Sequence, residues 1–137
     1  MIRHAGSRTR TLYRWESRLI NRKATGGNRK VRSAAEGRLI IDRIWQLEGR
    51  KGPVPTLEIK KMRGYPYYED AKHAIVLTSE DHSVQTLVHE ITHALGVGRS
   101  DNHHSEGFVK KYCKLLAFQF GWSEEQLLCE AKDIKLL

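Results

Sequence analysis

Apolar residues along this chain change period twice, and the changes divide it into elements. Leu12, Trp15, Leu19 and Ile20 recur at helical spacing, so residues 9–23 are predicted to form an amphipathic helix with arginines around its back. Thr25-Gly26-Gly27-Asn28 then ends the helix as a flexible joint. Ser33-Ala34-Ala35-Glu36 has the form of a capping box, where hydroxyl and carboxylate each satisfy an orphan backbone amide. The helix it opens is expected to turn Leu39, Ile40, Ile44 and Leu47 inward and to stop near Gly49. Beyond the rigid turn Gly52-Pro53-Val54-Pro55 the period falls to two. Leu57 and Ile59, with Lys61 in phase, alternate with Glu58 and Lys60, which predicts a strand. Tyr65–Tyr68 and His73–Leu77 predict two more, joined through residues 69–72. Pro66 removes a ladder donor, so the tyrosine strand should be short or at an edge.

The helical period returns at Ser83. Val84, Leu87, Val88, Ile91 and Leu95 form an apolar stripe that ends at Gly96, a favourable residue for helix termination. A polar loop, 97–102, leads to a helix from about Ser105 to Phe120 with Phe108, Tyr112, Leu115 and Leu116 on one face. Ser123-Glu124-Glu125-Gln126 is a second capping box, and it opens a last helix carrying Leu127, Leu128, Ala131 and Ile134. The fold class expected is therefore α+β: a small three-stranded sheet packed against the helix that starts near Ser83, with additional helices around it.

A chain of 137 residues is long enough to bury a core without disulfides or a metal staple. No apolar run approaches the roughly 20 residues that a spanning helix needs, and no signal-peptide-like apolar segment follows Met1. The expectation is no membrane association and a reducing, cytoplasmic setting. The two cysteines, Cys113 and Cys129, form no C-x-x-C arrangement and are expected as buried helical thiols.

Charge adds a division that hydropathy does not. Residues 1–33 hold ten Lys or Arg against the single acid Glu16, whereas the remainder holds 14 basic and 15 acidic groups. The net +8 therefore resides in an N-terminal arm, expected as a unit separate from a second domain at 34–137. An arm of this kind is an electrostatic footprint for DNA, RNA or another polyanion. The candidate contacts are Arg8, Arg10, Arg14, Arg18, Arg22, Lys23, Arg29, Lys30 and Arg32. A solvated basic helix face is the plainer alternative.

The candidate chemistry is concentrated in His89-Glu90-Ile91-Thr92-His93, an H-E-x-x-H string. Two histidines four apart on a helix differ by about 40° and leave one face a turn apart, so both can grip one metal ion. The intervening Glu is then placed to take a proton from a metal-activated water. A catalytic zinc commonly takes three protein ligands. The metzincin continuation would need a third histidine at position 99, where Arg99 stands. Five of the seven histidines lie between residues 82 and 104, and His103 and His104 follow the motif by ten and eleven residues. His104 is preferred because it opens the next helix, with Phe108 one turn on as an anchor; His103 is the alternative. Asp101 and Glu106 are weaker oxygen-ligand candidates. His82 and His73 are read as structural or solvent-exposed.

Thr86-Leu87-Val88-His89-Glu90-Ile91-Thr92-His93-Ala94-Leu95, preceded by the strand Ile75-Val76-Leu77 and followed by His104 four residues ahead of Phe108, resembles SprT-like zinc metallopeptidases. The similarity covers about residues 36–120. It implies a minimal zincin-like domain, zinc held by His89, His93 and His104, Glu90 as catalytic base and a polypeptide substrate. Family members known as Spartan act on proteins crosslinked to DNA. Ser105 replaces the usual glycine after the third histidine, and no four-cysteine zinc ribbon follows the core, so nucleic-acid contact would fall to the basic arm.

The activity expected is metal-assisted peptide hydrolysis, with substrate paired along an exposed sheet edge near Tyr67–Leu77. Tyr67, Tyr68, His73 and Arg99 are candidates for stabilising the oxyanion. One rival reading is a non-catalytic module with a structural metal, tethered to nucleic acid or an assembly. Another is a metal-dependent nuclease, whose three-histidine spacing would again require a ligand where Arg99 stands.

Overall fold

Ala74–Thr78 has no polar face to turn toward water, and all five residues are buried at the centre of the sheet. The computed structural model describes residues 7–20, 29–49, 52–96 and 104–137. Its elements run in the order α1 (Ser7–Ile20), α2 (Ala34–Leu47), β1 (Thr56–Lys60), β2 (Tyr67–Glu69), β3 (Ala74–Thr78), α3 (Val84–Ala94), α4 (Glu106–Phe120) and α5 (Glu124–Asp133). This is the α+β arrangement that the periodicities predict. The expected joint at Thr25–Asn28 and positions 21–23 of the first helix lie outside the described residues.

The sheet order is β1-β3-β2. Strand β1 runs parallel to β3, with Thr56 opposite Ala74 and Lys60 opposite Thr78, while β2 is antiparallel, with Tyr67 opposite Val76. Pro66 falls just outside β2, which is three residues long and lies at an edge. The expected free edge from Tyr67 to Leu77 narrows accordingly: β3 has partners on both sides, so only β2 offers an outer edge there. In β1 only Leu57 is buried; Ile59 is exposed.

Helix α2 faces the core through Ile40, Ile41, Ile44 and Trp45, whereas Leu39 and Leu47, expected inward, are exposed. Gly37 explains the rotation. Its backbone lies so close to β1 that a Cβ there would come within 2.3 Å of Leu57 Cδ2, and the face adjoining that contact is the one buried. The capping box is only half formed. Ser33 Oγ accepts from the Glu36 amide, but the Glu36 carboxylate takes the Arg32 amide at 2.9 Å and the Arg29 guanidinium at 2.6 Å.

Helix α3 packs on β3 and β2 and against α4, which in turn packs against α5. Among the described residues, α1 does not behave as a separate arm. Leu12, Trp15 and Leu19 belong to the same core cluster as α2–α5, and Trp15 Nε1 donates to Glu130 on α5 at 3.2 Å. A division at residue 33 is therefore a division of charge and not of packing. The segment after the described gap is also tied in: the Val31 amide donates to His82 O and the Val84 amide to Arg29 O, each at 2.8 Å. Cys113 is buried, and burial, with Glu124 and Glu130 adding, pushes its thiol up to about 12; Cys129, expected inside, is exposed. No helix among the described residues is long and apolar enough to cross a membrane.

Glu48, which caps α2, joins that helix to α4 by receiving both Lys111 and Lys114, the latter at 2.8 Å. Burial raises its carboxyl, but the two ammonium groups outweigh burial and hold it below its ordinary value. A depressed carboxyl contributes stability above its unfolded pKa and loses it as pH falls through the folded one. Glu48→Gln is expected to cost about 1–2 kcal/mol at pH 7, discounted because both lysines are partly hydrated. Urea titrations of both proteins at pH 7 and pH 3 should show the difference shrinking in acid.

Candidate metal centre

The first turn of α3 is held by a small polar network that sets where the histidines emerge. Ser83 Oγ accepts from the Thr86 amide at 3.0 Å, and Asp81 takes the Thr86 hydroxyl at 3.0 Å and the Ser83 hydroxyl at 3.3 Å. The apolar stripe Val84, Leu87, Val88 and Ile91 anchors the helix in the core, as its spacing predicts. Thr92, buried within it, donates its hydroxyl to Val88 O at 2.8 Å. His89 and His93 then project from one side with ring centroids 5.0 Å apart.

His104 reaches the same point from the turn before α4. Ser105 caps that helix by accepting from the Phe108 amide. The three imidazoles form a nearly equilateral triangle, with His104 centred 5.2 Å from His89 and 5.1 Å from His93. Phe108 forms the floor, its ring 5.1, 4.6 and 5.0 Å from His89, His93 and His104. One nitrogen from each histidine lies within 4.8 Å of the others, so the triad can hold a metal ion. His103, Asp101 and Arg99 lie outside the described residues. Glu106 is exposed on the first turn of α4 and is not part of the triad.

Nitrogen chemistry supports the fit. A carboxylate only accepts, so the 2.7 Å contact between His89 Nδ1 and Glu16 Oε2 places a proton on Nδ1 and leaves Nε2 as the nitrogen that can take an ion once it has given up its own proton. His104 Nδ1 contacts the Thr9 hydroxyl at 3.3 Å, which lets its Nε2 also face inward with a lone pair. These two Nε2 atoms are 3.3 Å apart. That separation suits a shared proton or a bound cation, and the edge of a tetrahedral zinc site with Zn–N of 2.0–2.1 Å is about 3.4 Å.

Glu16 links α1 to both α3 and α4, and its chemical role is not evident from its type or position alone. The same oxygen that takes His89 accepts the Tyr112 hydroxyl at 2.6 Å, and the Glu16 carbonyl accepts from Gln85 at 2.9 Å. Burial disfavours a charged His89, but the charge and hydrogen bond of Glu16, with Glu90 and Asp81 behind them, outweigh it and raise the imidazole to about 9. Burial lifts the Glu90 carboxyl to about 7; His89 opposes the rise, and Glu16 and Asp81 add to it. Tyr112 is pushed well above its usual range by burial and by Glu16, so it remains a phenol donor.

His89 and Glu90 open onto a cleft of about 670 Å³ bounded by α1, α3 and the approach to β2. Tyr13, Ile20, Tyr65 and Pro66 supply its apolar walls. Tyr68 and His73 stand elsewhere: they bond each other at 2.6 Å, His73 Nε2 meets Pro53 O, and neither lines the cleft. Tyr67 does not line it either. His82 contacts Thr78 O, consistent with a structural role. Of the basic residues, Arg8 is committed to the fold, donating to His104 O at 2.6 Å and Leu136 O at 2.7 Å, and Arg29 pairs with Glu36. Arg10, Arg14 and Arg18 are exposed four apart along α1, and Lys30 and Arg32 are exposed; Arg22 and Lys23 lie outside the described residues.

No family model, no curated protein and no solved structure matches the chain.

Coordination at His89 must displace a proton that Glu16 favours. Metal affinity should therefore rise by about tenfold per pH unit up to about pH 9 and fall in acid. Chelator competition at pH 6, 7 and 8 checks this, and a flat profile would contradict it. His104→Ala should weaken binding by more than about 100-fold, beyond the loss expected for an outer-shell partner.

Proposed function

We propose that this chain is a zinc-dependent endopeptidase of the SprT-like type, hydrolysing polypeptide with His89, His93 and His104 as ligands and Glu90 as general base. The observation that carries the proposal is a three-histidine triad whose His89, together with the buried carboxylate of Glu90, lines one open cleft. A purely structural metal is normally enclosed by four protein ligands, whereas the three that gather here among the described residues leave a position for a reactant. Glu90 also lines the cleft, where a structural site would have no use for it.

When bound, zinc supplies a Lewis acid that polarises a carbonyl and brings the pKa of water toward about 7. The rest of the work falls to this chain's own groups. Glu90 receives the proton of the attacking water on its carboxylate and returns it to the departing amine, a role suited to a group whose pKa lies near 7. Glu16 holds the His89 ring in one tautomer. The outer edge of β2 can pair with an extended substrate. Tyr13, whose ring lies 5.8 Å from that of His104, is better placed than Tyr68 or His73 to reach a developing oxyanion.

The cleft favours peptide over nucleic acid as the reacting substrate. Its described lining contains Glu16, Asp81 and Glu90 but no Lys or Arg, which is unfavourable for a phosphodiester. A polyanion would instead meet Arg10, Arg14 and Arg18 on the outside of α1.

Glu90→Gln should keep about one zinc per chain and lose about 10²–10⁴-fold in the cleavage of an unstructured protein. Undiminished cleavage by that variant would remove Glu90 from its role. Replacing Arg10, Arg14 and Arg18 by Ala should lower DNA affinity and reduce the slope of log affinity against log salt by about 0.9 per arginine. Unchanged binding and slope would mean that α1 makes no phosphate contacts.

A further inference from the structure

Helix α1 lies far in sequence from the H-E-x-x-H element, yet it touches the triad at several points. Thr9, Tyr13 and Glu16 fall at i, i+4 and i+7 and so share one face. Thr9 contacts His104 Nδ1, Glu16 takes His89 Nδ1, and the Tyr13 ring lies 6.5 Å from His89 and 5.8 Å from His104. Arg8, on the same helix, grips the carbonyl of His104. Two of the three histidines therefore have their outer nitrogens facing this one helix.

From this we infer that docking of α1 and binding of the metal ion are thermodynamically coupled, with Glu16 as the residue that positions His89 and Thr9 as the one that orients His104. The inference rests on reading the triad as a metal site, and it does not depend on the reaction performed there. A freely rotating imidazole can present either nitrogen, or neither, to an ion. The Glu16 carboxylate removes that freedom at His89, and it is itself fixed by the Tyr112 hydroxyl from α4 and by Gln85 from α3. Undocking α1 would release both rings and leave Tyr112 without its acceptor. By thermodynamic reciprocity, the factor by which docked α1 tightens the ion is the factor by which the ion tightens α1. The apolar stripe Leu12, Trp15 and Leu19 gives the helix an attachment of its own, so the coupling modulates docking that already exists.

The test uses the full chain, with zinc as the probe and no peptide substrate. Zinc affinity is measured by competition with a chelating indicator for wild type, Glu16→Ala, Glu16→Gln and Thr9→Val. Hydrogen exchange across Ser7–Ile20 is followed with and without zinc. In wild type, zinc should slow exchange in α1. Glu16→Ala should bind zinc about 10–100-fold more weakly and lose most of that protection. Glu16→Gln, which keeps an acceptor for Nδ1–H without its charge, should fall between the two, and Thr9→Val should show a smaller loss. Cobalt spectra of the same form in all variants would show that the three ligands persist, separating positioning from collapse of the site. If Glu16→Ala fails to fold, Glu16→Gln and Thr9→Val carry the test. Wild-type affinity in the Glu16 variants, or α1 exchange indifferent to zinc, would overturn the coupling. A wild-type chain that binds no zinc would overturn the metal reading with it, whereas zinc binding without proteolysis would remove only the peptidase reading.

Discussion

Three imidazoles converging above one phenylalanine ring form the constraint on which the surrounding structure depends. The inward Nε2 atoms of His89 and His104 lie close enough to share a proton or a cation, so each ring has to be held against its neighbour. The fold supplies that restraint from several directions. Phe108 fills the space below, the stripe of α3 fixes the emergence of His89 and His93, and the cap at Ser105 fixes where α4 begins and hence where His104 stands. Glu16 then meets the imidazole most in need of a partner. A partly buried carboxylate is costly alone. Here it is satisfied by an N–H and an O–H donor, and in return it sets the tautomer of His89.

This arrangement gives α1 two unlike faces. Its inner face combines an apolar stripe with Thr9, Tyr13 and Glu16, and it belongs both to the core and to the outer shell of the triad. Its outer face presents Arg10, Arg14 and Arg18 to solvent. A helix dense in arginine can stay docked because its few inward positions are large, apolar or hydrogen-bonded, while the positive charges remain hydrated on the far side. The result is a strongly basic chain with a cleft whose described lining carries three acidic groups and no Lys or Arg.

Much of the architecture was legible in sequence because it follows from local periodicity. The alternation at Leu57, the continuous apolar run at Ala74–Leu77, the stripe from Val84 to Ile91 and the caps at Ser33, Ser83, Ser105 and Ser123 all mark elements found close to their predicted places. Periodicity was less informative where apolar residues cover more than half of a helix. In α2 either of two sectors could have been buried, and the close approach of Gly37 to Leu57 selected the one containing Ile41 and Trp45. Cys129 lies in the middle of a short terminal helix that buries only Leu127 and Ala131, and it faces water. Glu16 left a faint signal, as the only acid in a basic segment and the neighbour of Trp15 in the inward stripe, but nothing nearby in sequence identifies its partner.

What the sequence determined by itself was the set of elements and the pair His89 and His93 with Glu90 between them, since helical geometry alone brings residues four apart to one face. The tertiary structure decided which other groups would meet them. His104 comes from 15 residues away along the chain and Glu16 from 73 in the opposite direction, and no local rule fixes contacts at such separations. They meet because Leu12, Trp15 and Leu19 on one side and Phe108 and Tyr112 on the other are buried in one core, and the polar side chains beside those anchors are carried into register with the triad.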